Sequence, residues 1–235
     1  MVIIGFAIWG VVASSINHSV RNHFSGPSRP KNCGTPTYHV SSAATSPPQV
    51  KPHPVGTSVQ TSQEHHLAFA VPSGWKAESA GTLDGYENRC REPQILLGSV
   101  AKYGTGYCAA AATSYRAIAG VRGAQNEHSV AAVAREEALA WATWSYSGKN
   151  DEQPNVVVSR ARSFTAHGLR GSLVRATARS TVPLECGSVR GVVYAIAVDS
   201  TDGADVFVIS ADQGDAADPT EADLLAVAGT LHRVS

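Results

Sequence analysis

The sequence predicts an α+β fold: an antiparallel β-sheet of about six or seven strands covered by two amphipathic helices, preceded by an N-terminal apolar helix and a disordered linker. Three observations carry this reading. From Leu67 onward, runs rich in β-branched residues follow one another with short turn signals between them. Two stretches, near residues 129–148 and 218–229, combine helical apolar spacing with capping residues. Strands and helices do not alternate, which argues against a doubly wound parallel sheet. Sequential strands joined by short turns read as antiparallel.

Taken in order, residues 2–16 are apolar or small, and no basic residue precedes Arg21. As a helix, ~16 residues span roughly 24 Å, short of a hydrocarbon core of roughly 30 Å. Three readings compete. A signal peptide lacks its basic leading region, although Val11-Val12-Ala13 supplies a cleavage site. A buried core helix has no core to join, because a proline-rich stretch follows. A membrane anchor over residues 1–20 fits best, especially if translation starts upstream. Against it, the basic residues follow the run, and a strict positive-inside count would leave the body in the cytoplasm.

Residues 21–64 read as a linker. Seven of the 12 prolines fall between Pro27 and Pro54, and large apolar residues are almost missing. Such a segment cannot bury enough apolar surface to offset its ordering entropy, and its prolines bias it toward an extended spacer. Four of the 19 basic residues and none of the 19 acidic residues precede Glu64, so the remainder carries a net charge of −4. A weakly basic stalk therefore leads into a mildly acidic body, residues 65–235, and nothing in the charge points to nucleic acid.

Within the body, LAFAVPSGWKAES is strand-like with a turn at Pro72-Ser73-Gly74, and GTLDGYEN and QILLGSVAKY are two further strand candidates. Tyr115–Val121 reads as a short helix or turn. SVAAVAREEALAWATWSYSG reads as a helix capped by Ser129 or Asn126 and ended by Gly148. Its stripe holds Val130, Val133, Ala134, Ala140, Trp141 and Trp144, while Arg135, Glu136 and Leu139 face away. NVVVSRARSFT, GLRGSLVRATARS, SVRGVVYAIAVD and ADVFVISAD follow as strands, the last two joined by a hairpin at Ser200–Gly203. Asp218-Pro219-Thr220-Glu221 opens the final helix, with Asp218 as cap. Leu224, Leu225, Ala228 and Leu231 point inward, and Gly229 marks the stop.

VPSGW, GYC at 106–108, WA followed by a tyrosine at 141–146, Cys186, and ADQG at 211–214 resemble, in order and spacing, an uncharacterised domain family of actinobacterial membrane-anchored proteins. The resemblance covers about residues 65–235. It implies an extracytoplasmic domain on one transmembrane helix and a low-complexity stalk, with a fold similar to the PsbP-like α/β/α sandwich. The Arg-over-Lys, Ala- and Val-rich composition agrees with a GC-rich source. The family carries no established activity, so the resemblance implies place and fold without mechanism. NRCREP at 88–93 and Cys33 depart from its pattern.

Four cysteines allow three connectivities, and an exported chain favours pairing. Cys108 and Cys186 sit at loop-like ends of the expected sheet and match the family's two positions, which implies a Cys108–Cys186 bond. Cys33–Cys90 follows by elimination and would tie the stalk to the body. The alternative is four reduced thiols in a cytosolic chain. No CxxC spacing supports a zinc ribbon or a thioredoxin-type motif.

The candidates for chemistry are few. Glu137 falls inside the apolar stripe of the long helix; it is either a desolvated acid–base group or an edge residue paired with an arginine. Asp212 follows a strand and precedes a glycine turn, where carboxylates serve sites but more often cap turns. Asp215 and Asp218 lie near it, without the spacing of a calcium loop. His65 and His66 would face opposite sides of a strand, and no HExxH or GxSxG occurs. GTGYC at 104–108 is glycine-rich but lacks the lysine and helix of a phosphate loop. Trp75, Trp141, Trp144, Tyr86, Tyr107 and Tyr194 can line a ligand groove or fill the core. No catalytic, cofactor or metal set emerges. The expectation is a non-enzymatic, membrane-tethered extracytoplasmic module that binds an unknown ligand or envelope protein. The alternatives are a cell-envelope hydrolase, a sensor ectodomain, or a secreted form.

Overall fold

A computed structural model describes residues 40–52, 58–124, 129–201 and 203–234. Its strands are β1 (Val40–Ser42), β2 (Ser58–Ser62), β3 (Leu67–Val71), β4 (Trp75–Ala77), β5 (Asp84–Glu87), β6 (Pro93–Tyr103), β7 (Ala117–Ala124), β8 (Asn155–Val158), β9 (Arg162–Ala166), β10 (Leu169–Arg179), β11 (Arg190–Ser200), β12 (Gly203–Asp212) and β13 (His232–Arg233). The described helices are α1 (Val130–Ser145) and α2 (Glu221–Ala228).

The expected sheet of six or seven strands covered by two helices is corrected. Ten strands form one mixed sheet in the order β1-β8-β10-β11-β12-β7-β6-β4, with β5 on β6 and β9 on β10. The β1–β8 pair is parallel and the other pairs are antiparallel. A second sheet, β13-β3-β2, shares no ladder with it. One face of the large sheet packs on α1, with Trp141, Val193, Ala195, Val206 and Val208 in one core. The other face meets β3 and α2, with Phe69, Phe207, Tyr194, Ile196 and Leu224 in a second core. Successive residues of β11 feed these two cores in turn, since side chains alternate across a strand. That is why VVYAIAV is apolar without a break: both of its faces are dry.

Where sequence and structure part, the causes are local. Residues 117–121 belong to β7 rather than to a helix or turn; the alanines suit a helix, but the segment lies between β6 and β12. NVVVSRARSFT breaks into β8 and β9, and both pair with β10. β1 and β2 lie within residues 21–64, the stretch expected as linker, and Val50 is buried. β2 escapes a hydropathy reading because its buried anchor is polar: the Gln60 amide donates to the carbonyls of Glu78 and Val100 at 2.8 and 2.6 Å.

Helix α1 is capped by Ser129, whose Oγ accepts from the Ala132 N–H at 3.3 Å. Helix α2 is capped by Thr220 and not by Asp218. Thr220 Oγ1 accepts from the Asp223 N–H at 3.2 Å while Asp223 Oδ2 accepts from the Thr220 N–H at 3.0 Å. Asp218 is drawn away to Arg116, 2.7 Å from its Nη1. Among the described residues no helix is long and apolar enough to cross a membrane. The expected anchor, residues 1–20, lies outside the described residues.

Candidate ligand site

Five parts of the chain converge at one end of the large sheet. Strand β12 delivers Asp212 at its last residue. Helix α1 ends at Ser145 and Tyr146. The β6–β7 loop carries Tyr107 and Cys108 and closes on Tyr115, β5 carries Tyr86, and the β10–β11 loop carries Cys186, Gly187 and Ser188. Cys108 and Cys186 are joined by a disulfide with their Cα atoms 5.8 Å apart. The bond pins the two loops together. Cys90 is also disulfide-bonded; Cys33, its expected partner, lies outside the described residues.

Asp212 is the centre of this convergence. Its side chain accepts from the Ser188 N–H at 3.1 Å, the Tyr107 hydroxyl at 3.3 Å and the Tyr146 hydroxyl at 3.4 Å. Its own N–H donates to the Arg116 carbonyl at 2.8 Å, which continues the strand's pairing to the site. Burial pushes the Asp212 carboxyl up to about 6, against the Ser188 N–H and the tyrosine hydroxyls, which favour the ionised form. Burial and the neighbouring Asp212 charge push Tyr107 up to about 12, and burial lifts Tyr86 to about 12 as well. Tyr115 and Tyr146 are held well above the usual phenol range, again chiefly by burial. All four tyrosines therefore stay protonated at neutral pH, and the hydroxyls of Tyr107 and Tyr146 donate to Asp212 and that of Tyr115 to Asp84.

Two glycines make the geometry possible. A Cβ on Gly191 would overlap the Tyr146 ring, so a glycine on β11 is what lets that hydroxyl reach Asp212. Gly187 turns with φ +106°, a conformation that side chains rarely adopt, and so presents the Ser188 N–H to the carboxylate.

A pocket of about 300 Å³ opens beside this cluster, lined among others by Tyr86, Tyr107, Tyr115, Ser145, Cys186 and Asp212. It adjoins a depression of about 600 Å³ with which it shares Tyr86, Ser145, Leu184 and Cys186. On the other side, Tyr107 and Gly187 are shared with one of about 470 Å³. The three form a groove around the disulfide-pinned loop.

The candidates read from sequence scatter. Asp212 lies at the site and Glu137 does not. Glu137 sits on α1 with Arg122 Nη1 3.5 Å from its Oε2, an ion pair without hydrogen-bond geometry, and that oxygen is buried without a hydrogen-bond donor. Burial raises the Glu137 carboxyl above its ordinary value, opposed by Arg122. Asp215 and Asp218 are engaged by Arg116, at 3.4 and 2.7 Å, rather than turned together toward a cation. His65 and His66 occupy a turn between β2 and β3, not a strand, and His65 Nδ1 lies 3.3 Å from the buried Asp205. Among the described residues no group of three or more His, Cys, Asp or Glu is placed to hold a metal. Of the aromatic candidates, Tyr86 and Tyr107 line the pocket and Trp144 the adjoining depression. Trp75, Trp141 and Tyr194 are core residues. Tyr146 enters the sequence reading only as the tyrosine of the WA motif and Tyr115 only as the start of an expected helix or turn, neither as a site residue; a tyrosine directly after the buried helical stripe is the available sign.

Residues 50–235 match a family described as a domain of unknown function, DUF8017. No curated protein matches the chain. Among solved structures, one from Bacteroides thetaiotaomicron VPI-5482 aligns over 76% of this chain at 9% identity, with a TM-score of 0.37. The chain spans about half the length of that protein, 48%. With the family covering most of its length, the chain belongs to DUF8017.

Proposed function

We propose that this chain is a non-enzymatic, extracytoplasmic binding or accessory module, tethered to a membrane through residues 1–20, that takes its ligand or envelope partner in the groove around Asp212. One observation carries the reading. The groove is walled by tyrosines and hydroxyls, and its single buried carboxylate, Asp212, has only neutral donors as partners: two phenols and a backbone N–H. Aromatic rings interleaved with a few fixed polar groups support a recognition site, and among the described residues of the groove no Ser, Thr or Cys side chain is hydrogen-bonded to a His, Asp or Glu side chain as covalent catalysis would need. The Cys108–Cys186 bond supports the compartment, since such crosslinks persist in oxidising spaces. The apolar run of residues 2–16 supports the tether.

A thermal-shift screen tests this. The oxidised full chain is set against amines, sugars, amino acids and nucleosides, beside Thr113→Trp, which fills the pocket mouth from an exposed position. At least one class should raise Tm in the native chain and not in the variant. Equal shifts in both, or none in either, overturn the reading.

A second reading, an envelope hydrolase, draws on a different place. His65 Nδ1 lies against Asp205 at the wall of a pocket of about 560 Å³, the arrangement that orients an imidazole as a base. Among the described residues no hydroxyl in that pocket bonds to the ring. Ser62 Oγ accepts from the His65 backbone N–H instead, at 3.4 Å. Hydrolysis of a p-nitrophenyl ester panel that vanished in His65→Ala would favour this second reading.

A further inference from the structure

The charges around the groove do not balance, and the imbalance has a sign. Asp84, at the pocket's far wall, is ion-paired with Lys102. Asp215 and Asp218 share Arg116. Glu221 is held by Arg175 at the other face of the sheet. Asp212 alone among these has no Lys, Arg or His within ion-pair distance among the described residues, although it is buried. A carboxylate removed from water without a counter-charge is costly, and the three dipoles aimed at Asp212 offset only part of that cost.

The walls complement the same charge. Tyr86, Tyr107 and Tyr115 line the pocket together with Asp212. Phenol rings attract cations through their quadrupole, and here they already do so: the Arg116 guanidinium lies 4.4 Å from the Tyr107 ring centroid, and Lys102 Nζ lies 5.1 Å from that of Tyr115. An anionic ligand would meet the uncompensated Asp212 with like charge. A neutral polyol would find hydroxyls but leave the carboxylate uncompensated.

We infer that the pocket takes a small organic cation, its ammonium group paired with Asp212 and flanked by Tyr86, Tyr107 and Tyr115. This inference rests on the groove being the binding site. The volume, about 300 Å³, equals about ten water volumes, enough for a ligand of roughly ten heavy atoms. A primary amine would use its N–H groups on Asp212 and the phenol oxygens. A methylated ammonium would use the rings instead. The Ser188, Tyr107 and Tyr146 donors favour the ionised carboxylate and fix its direction, so a cation meets a preset partner.

Calorimetric titration of the oxidised full chain with choline and with ethanolamine tests the inference, beside 3,3-dimethyl-1-butanol, the uncharged isostere of choline. At least one of the two cations should bind, and the isostere should bind about tenfold more weakly or worse. Asp212→Asn, which keeps size and most hydrogen bonds, should weaken the cation by about tenfold or more. Thr113→Trp should abolish binding without touching the carboxylate, which covers the case in which the Asp212 variant fails to fold. Equal affinity for the isostere, unchanged affinity in Asp212→Asn, or no binding of either cation overturns the inference. The groove reading survives any of these results if another ligand class gives shifts that Thr113→Trp removes, and falls with the inference if none does.

Discussion

The Tyr146 hydroxyl donates to Asp212 Oδ1 at 3.4 Å, joining the residue that ends helix α1 to the residue that ends strand β12. The bond crosses β11, the strand between them in the packing, and it passes where Gly191 leaves space. The contact therefore depends on three elements at once. It couples the helical layer to the carboxylate at the heart of the groove.

Gly191→Ala forces the Tyr146 ring to move. Overpacking of this kind costs about 1–3 kcal/mol, because neither the strand backbone nor the buried ring has room to yield. Tyr146→Phe keeps the ring and removes one donor from Asp212, at a cost of about 0.5–1.5 kcal/mol. Denaturant unfolding should rank the two in that order.

Asp212 makes stability fall as pH rises. Its carboxyl is lifted from 3.8 to about 6 by burial, so between those values the native state binds the proton that the unfolded state releases. The groups facing it do not reverse this: Tyr107 and Tyr146 are neutral across the window, and Asp218 adds negative charge. Its contribution is greatest below about pH 4 and is lost through about pH 6, amounting to roughly 2–3 kcal/mol. Asp212→Asn should remove this slope and raise Tm at neutral pH. The amide oxygen stays on the Ser188 N–H, and the Tyr146 hydroxyl turns to accept from the amide nitrogen. A Tm profile from pH 3 to pH 8 that is parallel in both proteins would refute this.

The Cys108–Cys186 bond closes a loop with a sequence separation of 78 residues. In the chain-entropy account, such a crosslink is worth about 4–5 kcal/mol. Cys108→Ser/Cys186→Ser should lose a large part of that in denaturant unfolding and should also lose groove binding, since Ser188 and Tyr107 sit on the two pinned loops. Non-reducing peptide mapping of protein from intact cells checks the compartment at the same time. Free thiols at both positions would remove the support for an extracytoplasmic site.

How far the sequence reveals this molecule depends on how local each cause is. The two-faced burial of β11 and β12 is written in unbroken apolar runs, and Ser129 announces its helix. β2 is silent because Gln60 is buried through hydrogen bonds to the carbonyls of Glu78 and Val100, which hydropathy does not weigh. The count expected for the large sheet is too low because the alanine-rich β7 reads as a helix or turn, β1 lies in the stretch read as linker, and residues 159–161 split one apparent strand into β8 and β9. Asp212 stood out by its place between a strand and a glycine turn. Its pairing with Tyr107, a groove candidate by residue type, and with Tyr146 is not legible, since they lie 105 and 66 residues away along the chain. Only the sheet topology brings them together.

Glu221 gives the opposite pH signature to Asp212. Burial pushes its carboxyl up, but the Arg175 and Tyr194 hydrogen bonds outweigh that and hold it below its ordinary value. Arg175 grips it with two nitrogens, Nε at 2.9 Å and Nη2 at 2.5 Å, while the Tyr194 hydroxyl donates to Oε2. This fork ties β10 and β11 to the first turn of α2, whose N-terminal dipole also favours the negative charge. The stabilisation is present above about pH 4.5 and is lost as pH falls through the lowered value, where Glu221 takes up its proton. A lysine cannot reproduce the fork, so Arg175→Lys should cost about 1 kcal/mol at neutral pH, a figure kept small because the pair is partly exposed. The same variant should speed hydrogen exchange in α2 and flatten the acid limb of the stability profile, leaving the limb set by Asp212 in place. An acid limb unchanged in Arg175→Lys would assign that limb to other carboxylates and reduce the fork to packing.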